Sequence, residues 1–230
     1  MKSYVSIIIP AFNEENRIKD TLENIINIEN INEIVVVDDG SSDKTFEVIR
    51  GIQSNKIKGF RLKKNKGKGF ALNFGLQNVS KDANIIGFLD ADLGKSSSEV
   101  KKLIHPIITN KADVTIAQFP PAKKKGGMGF VKRLARDSVL DLTGVELTST
   151  LSGQRIFKKE VLDKFYEIPF GYGVEVGMTI DILKNGYNIN EVLVEMTHNE
   201  TGRNLKGFIH RGKQFYHIKK EVRKKKKEWR

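Results

Sequence analysis

The chain has no cysteine, which excludes disulfides and thiolate-bound metals and fits a reducing, cytoplasmic setting. It has no apolar run near the roughly 20 residues that a bilayer span requires. The apolar part of MKSYVSIIIP is too short for an export signal and runs straight into a predicted strand, so a cytoplasmic protein is expected. No internal repeat and no low-complexity segment is present apart from the terminal KKKK. Acidic residues are in deficit: 28 Asp and Glu stand against 40 Lys and Arg, a net charge of +12. Much of the excess lies in Lys219 to Arg230. Such a face attracts nucleic acid, polyanionic substrates or an anionic membrane surface. No nucleic-acid motif appears and the tail does not interleave aromatics with its cations, so no nucleic-acid partner is expected. A peripheral position at the inner face of the membrane, held by the tail, is compatible with the charge.

What is present is enough apolar residue, 39% beside 30% charged, for one large globular domain. The expected division is a single domain over 1–220, with a nucleotide-binding half (1–118), an acceptor-side half (119–220) and a basic tail (221–230). SYVSIIIP, Ile34 to Val37, Ile57 to Leu62 and IIGFLDADLG read as strands. The first helix is expected to be capped by Asn13, the second by Ser41 or Ser42, and the third to open in the Lys63 to Gly69 loop. Strand and helix therefore alternate through the first ninety residues, which predicts a mostly parallel sheet with helices on both faces. The second half predicts helices over 98–110 and 130–142, a strand through STLSGQRIF, a helix from Glu175 to Lys184, a strand over 187–196 and a last helix from Leu205 to about Arg223.

In such sheets ligands sit beyond the carboxyl ends of the strands. Here those ends carry Pro10 to Glu14, Asp38 to Gly40, the Lys/Gly loop, and Asp90 and Asp92. Two carboxylates one residue apart form a hard oxygen site suited to a divalent cation bridging to a diphosphate. Neither GxGxxG after the first strand nor the spacing of a P-loop is found, which argues against a dinucleotide cofactor.

In order and spacing, VSIIIPAFNEE, INEIVVVDDGSSDKT, NKGKGFALNFGL and IIGFLDADLG resemble the family 2 glycosyltransferases of the GT-A nucleotide-diphospho-sugar transferase fold. The resemblance implies that Pro10, Ala11 and Glu14 line the nucleoside pocket, with Asp38 near the base, Lys68 near the diphosphate and Asp90 facing the ribose. It implies a Mg²⁺ or Mn²⁺ ion on Asp92. GGMG, SGQRIF, GYGVE and the late His198 are similar to glucosyl-3-phosphoglycerate synthases, in which the matching His joins the metal. That similarity puts Gly126, Gly127, Gly153, Tyr172 and Arg203 on the acceptor side. Met128 and Met196 stand where those enzymes carry basic residues for the acceptor phosphate. SGQR and the segment around Arg203 are also similar to polyprenyl-phosphate mannose synthases, whose acceptor is a lipid phosphate.

The implied reaction moves a hexosyl group, glucose or mannose, from a UDP- or GDP-sugar to a hydroxyl or phosphate. The cation on Asp92 and His198, with Lys68, would offset charge on the leaving diphosphate. Glu175 is the carboxylate available as a base if a neutral hydroxyl attacks, and Arg155 could hold a phosphate of donor or acceptor. A nucleotidyltransferase, a basic binding module and a catalytically inactive nucleotide-sugar binder are the competing readings, and a homodimer is compatible with all of them.

Overall fold

In the computed structural model the described residues are 3–120, 129–164, 173–197 and 205–229. Seven strands among them form one sheet in the order β3-β2-β1-β4-β6-β5-β7. The strands are β1 (Val5–Ala11), β2 (Ile31–Asp38), β3 (Ile57–Arg61), β4 (Ile85–Phe88), β5 (Val114–Gln118), β6 (Arg155–Lys158) and β7 (Ile189–Leu193). The helices are α1 (Ile18–Ile26), α2 (Thr45–Gly51), α3 (Lys68–Asn78), α4 (Val100–Ile108), α5 (Phe130–Thr143), α6 (Lys159–Leu162), α7 (Val174–Lys184) and α8 (Leu205–Glu228).

β1 pairs in parallel with β2 on one side and β4 on the other, with Ile7 level with both Ile34 and Gly87. The chain thus reverses its winding between β1 and β4, and the crevice above that point is where such sheets take ligands. β6 enters antiparallel between β4 and β5, with Gly87 opposite Ile156. This mostly parallel sheet with flanking helices is the expected fold class, and β6 is its one reversed strand among the described residues.

Continuous runs such as Ile7-Ile8-Ile9 and Ile34 to Val37 are fully buried because both sheet faces are covered. α1 and α4 cover one face through Ile18, Leu22, Leu103 and Ile107. α3 and α7 cover the other through Ala71, Leu72, Met178 and Ile182. A third apolar cluster joins α5, α7 and α8 through Val139, Ile180, Ile218 and Val222. No helix among the described residues is long and apolar enough to cross a membrane.

Several boundaries differ from expectation, each for a reason visible in the hydrogen bonds. Asn13 does not cap α1. It adopts φ 56°, which Asn tolerates, and its Oδ1 accepts the Ser42 N–H at 2.9 Å. The Glu14 carbonyl instead takes the N–H groups of Arg17 and Ile18, and the helix starts at Ile18. Nor do Ser41 or Ser42 cap α2: Ser41 Oγ accepts from Asn13 N, and Asp43 Oδ1 receives the Thr45 N–H at 3.0 Å. The strand in STLSGQRIF shortens to β6 because Ser152 N bonds back to Ser149 O, closing a turn before Gln154. Residues 221–228 form the last turns of α8 rather than a separate tail.

At the opposite edge of the sheet Glu33 is buried. It accepts from Ser6 Oγ at 2.5 Å and Ser80 N at 2.8 Å, and its other oxygen lies 2.5 Å from Lys58 Nζ. Burial pushes its pKa up, but the Lys58, Ser6 and Ser80 hydrogen bonds outweigh that and hold it below the ordinary glutamate range. A depressed carboxylate stabilises the fold above its unfolded pKa and loses that contribution as pH falls through the folded value. Glu33→Gln should therefore cost about 1–3 kcal/mol at neutral pH. Parallel thermal melts should show the gap between variant and wild type closing below about pH 4.

Candidate active site

The strand ends above the crevice are held by hydrogen bonds that run between elements. After β2, both Asp39 oxygens accept backbone N–H groups of the basic loop, from Lys66 at 2.8 Å and Gly67 at 2.7 Å. Gly40, at φ 73°, lets that loop close down: a Cβ there would stand 2.7 Å from the Lys64 carbonyl carbon. The loop delivers Lys68 at the first position of α3. After β4, the Thr21 hydroxyl of α1 donates to Ala91 O at 2.8 Å and accepts the Gly94 N–H at 2.8 Å. Arg17 Nη1 reaches Asp92 O at 3.2 Å. The Asp90–Asp92 turn is thus fixed from α1 on one side.

From the other side comes the segment before β6. Lys68 Nζ lies 2.5 Å from Asp90 Oδ1, and Gln154 Nε2 donates to Asp90 Oδ2 at 2.6 Å. Gly153 packs directly against this pair, since a Cβ on it would lie 2.6 Å from Lys68 Nζ. Burial works against the Lys68 ammonium, but the charges of Asp90, Glu175 and Asp92 and the Asp90 hydrogen bond prevail and raise its pKa. Glu14 is raised first by burial, then by Asp92, against Arg17, with Asp43 and Asp90 adding to the rise. Glu14, Lys68, Asp90, Asp92, Gly153 and Glu175 therefore share one electrostatic neighbourhood, a cation set among carboxylates.

Two candidates lie deeper. Asp38 is fully buried, accepts from Ser41 N at 2.9 Å and faces Arg61 Nε at 3.3 Å. Arg155 is 1% exposed. Its Nε donates to Ser152 O, its Nη2 to Thr150 O and its Nη1 to Thr179 Oγ1, at 2.8, 2.8 and 3.0 Å. Burial brings its pKa down to about 10, opposed by Glu175 and Glu191, so it is a cation at neutral pH. Pro10 and Ala11 end β1, level with Val37 and Asp38 of β2. Gly126, Gly127, Met128, Tyr172, His198 and Arg203 lie outside the described residues.

A model of the family described as Glycosyl transferase family 2 matches residues 6–185. The chain belongs to that family. Over 225 residues it is 29% identical to a UDP-N-acetylglucosamine–dolichyl-phosphate N-acetylglucosaminyltransferase of Methanococcus voltae, covering 85% of this chain and 86% of that protein. Over 180 residues it is 29% identical to a dolichol-phosphate mannosyltransferase of Pyrococcus furiosus, covering 74% of this chain and half of that protein. A glucosyl-3-phosphoglycerate synthase of Mycobacterium tuberculosis, solved with Mn²⁺, UDP and glucosyl-3-phosphoglycerate, superposes with a TM-score of 0.77 at 24% identity. The match covers 96% of this chain and 78% of that one, and it shows the GT-A fold.

In this family 2 glycosyltransferase, the donors around Asp92 suit a hard divalent cation. Burial first and then the Asp92 charge lift Glu14, and the Arg17 and Lys68 cations stand beside these carboxylates. No three metal-ligating side chains gather among the described residues, and Asp92 is a side chain of this turn that could hold such an ion.

Asp39, Thr21 and Gln154 shape the site without having been singled out in the sequence. Thr21 does show a signal, as the polar residue inside the buried stripe Ile18, Leu22, Ile25. Gly153→Ala tests the packing around Lys68. The methyl would meet the tip of a flexible side chain, so stability should change by less than about 1 kcal/mol. Lys68 must swing away, and donor turnover should fall by roughly 10- to 100-fold, read as kcat/KM beside a thermal melt.

Proposed function

We propose that this glycosyltransferase moves a hexosyl or N-acetylhexosyl group from a UDP-sugar to a lipid phosphate of the polyprenyl class. The observation that carries the reading is the Lys68–Asp90–Gln154 constellation beside Asp92 at the winding reversal of the sheet. The Methanococcus voltae relative, matched along most of both chains, supports the UDP donor and the lipid-phosphate acceptor. Met196, uncharged and buried, stands where the glucosyl-3-phosphoglycerate synthases carry a basic residue, which counts against a phosphoglycerate acceptor.

Asp92, with His198 as second ligand, would hold a Mg²⁺ or Mn²⁺ ion, which when bound offsets charge on the diphosphate. Asp90, clamped by Lys68 and Gln154, orients the donor sugar nucleotide, with Glu14, Pro10 and Ala11 along the nucleoside. Lys68 meets the diphosphate as its negative charge grows. An acceptor phosphate oxygen bonds to the anomeric carbon while the bond from that carbon to the β-phosphate oxygen breaks, and UDP departs with the electron pair. An anionic nucleophile carries no proton to remove, so Glu175 serves as a base only if a hydroxyl attacks. Arg155, enclosed by protein acceptors, acts by positioning the turn that carries Gly153 and Gln154.

The test is a screen of UDP- and GDP-sugars with Mn²⁺ or Mg²⁺ against a short-chain polyprenyl phosphate and 3-phosphoglycerate. One UDP-sugar should release UDP and glycosylate the polyprenyl phosphate, and Asp92→Ala should lower turnover by at least about 10³-fold. Turnover unchanged in EDTA or in Asp92→Ala would remove the metal role. Transfer to 3-phosphoglycerate alone would replace the acceptor.

A further inference from the structure

The cations of α8 are not equivalent. With about 3.6 residues per turn, Ile218, Val222 and Lys225 fall on one stripe, and all three are buried. Lys225 Nζ lies 2.6 Å from Asp181 and 2.8 Å from Glu228, so a tail lysine is spent inside the protein. Trp229 Nε1 adds a bond to the same Asp181 at 2.9 Å. Lys226 reaches Asp141 of α5 at 2.7 Å. These contacts, with Glu221 lying over Gly173, just before α7, and Gly177 within it, fix the rotation of the helix.

The stripe opposite is Tyr216, Lys220, Arg223 and Lys227, spaced four, three and four residues apart, with Lys213 one turn earlier; all are exposed. It contains no carboxylate. The two glutamates of this part of α8 sit elsewhere, Glu221 against α7 and Glu228 beside Lys225. Tyr216, 66% exposed, lies among these cations. A phenol of that kind prefers the water–lipid boundary, where its ring is apolar and its hydroxyl wet.

We propose that this outward face of α8 docks on an anionic lipid bilayer. Charge complementarity selects the partner: an acid-free row of cations spread over about three helical turns matches a plane of phosphates. The geometry also suits the site. Gly173 and Gly177 bring α7 into contact with α8, while Glu175 lies on the far side of α7, where its charge reaches Lys68 and Arg155. The docked surface would thus lie on one side of α7 and the reacting groups on the other. The proposal draws its purpose from the lipid-phosphate reading, but its physics is independent of that reading.

The probe is co-sedimentation with phosphatidylcholine vesicles, with and without a fraction of phosphatidylglycerol. Wild type should pellet with the anionic vesicles only, and less as salt rises. Each basic residue near such a surface contributes about 1 kcal/mol, so Lys220→Gln/Arg223→Gln/Lys227→Gln should bind on the order of 100-fold more weakly. Lys19→Gln/Lys101→Gln/Lys111→Gln removes the same charge from exposed positions on the α1/α4 side of the sheet and should lose far less. Tyr216→Ser, a single exposed change that cannot unfold the chain, should weaken binding by several-fold. Equal losses in the two triple variants, undiminished binding in the α8 triple, equal binding to neutral vesicles, or tighter binding to a DNA duplex would each overturn the proposal. Glycosylation of the short soluble polyprenyl phosphate separates the two readings. If it fails while vesicle binding follows the stripe, the acceptor is wrong and the surface stands; if it succeeds without vesicle binding, the reverse holds.

Discussion

Lys68→Met should lower kcat/KM for the donor sugar nucleotide by roughly 10²- to 10³-fold while leaving the melting temperature almost unchanged. The loss should fall mainly on kcat, because the ammonium matters most as the departing diphosphate gains charge. Stability should hold because the Lys68–Asp90 pair is part exposed, at 40% and 31%, and such pairs contribute little to folding. Asp90 also keeps its Gln154 partner in the variant. Lys68→Arg should recover only part of the activity, since a planar guanidinium needs more room than the space beside Gly153 allows. The pH profile supplies a second readout. Although burial disfavours the charge, the surrounding carboxylates raise the Lys68 pKa above the lysine norm, so it stays protonated throughout the neutral range. Between about pH 6 and 9 the wild-type profile should show no limb from this lysine. An alkaline loss inside that window that disappears in Lys68→Met would contradict the assigned charge state.

What could be read from the sequence was chemistry placed at strand ends. Buried runs followed by Asp38-Asp39-Gly40 or Asp90-Ala91-Asp92 announce both a covered parallel strand and a carboxylate at its tip. Alternation with helices then puts those tips on one edge, and the structure brings Glu14, Lys68, Asp90 and Asp92 together there. What could not be read depends on contacts between residues distant in the chain. Gln154 clamps Asp90 only because β6 runs antiparallel beside β4, with Ile85 level with Lys158. Nothing local in SGQR encodes that pairing. Asn13 and Ser41 carry the side chains of helix caps, yet Ser41 Oγ accepts the Asn13 N–H and Asn13 Oδ1 accepts the Ser42 N–H across the β1 and β2 ends. The basic tail shows the same limit: its charge is plain in the sequence, but that Lys225 turns inward is decided by Asp181 of α7.

Arg155→Met should cost about 2–4 kcal/mol and lower Tm by roughly 5–15 °C. Removing the guanidinium leaves the Thr150 and Ser152 carbonyls without the donor that now serves them. Methionine fills much of the volume, so a cavity contributes little to the loss. The cost stops short of that for a broken buried ion pair because, among the described residues, the hydrogen-bond partners of Arg155 are two carbonyls and a hydroxyl rather than a carboxylate. Glu175 and Glu191 act on it at longer range, raising the pKa that burial has lowered. Thr179, released from Arg155, keeps its bond to the Glu175 carbonyl at 2.7 Å. Activity should fall even well below the melting transition, since the Thr150–Ser152 turn directs Gly153 and Gln154 onto Lys68 and Asp90. Arg155→Lys should rescue neither property, because one ammonium cannot reach three acceptors set around a planar fork. A residue that held substrate phosphate directly would behave differently: Arg155→Met would then raise KM and leave Tm where it was. Measuring Tm and the separate kcat and KM values for the two variants decides between a positioning residue and a binding one.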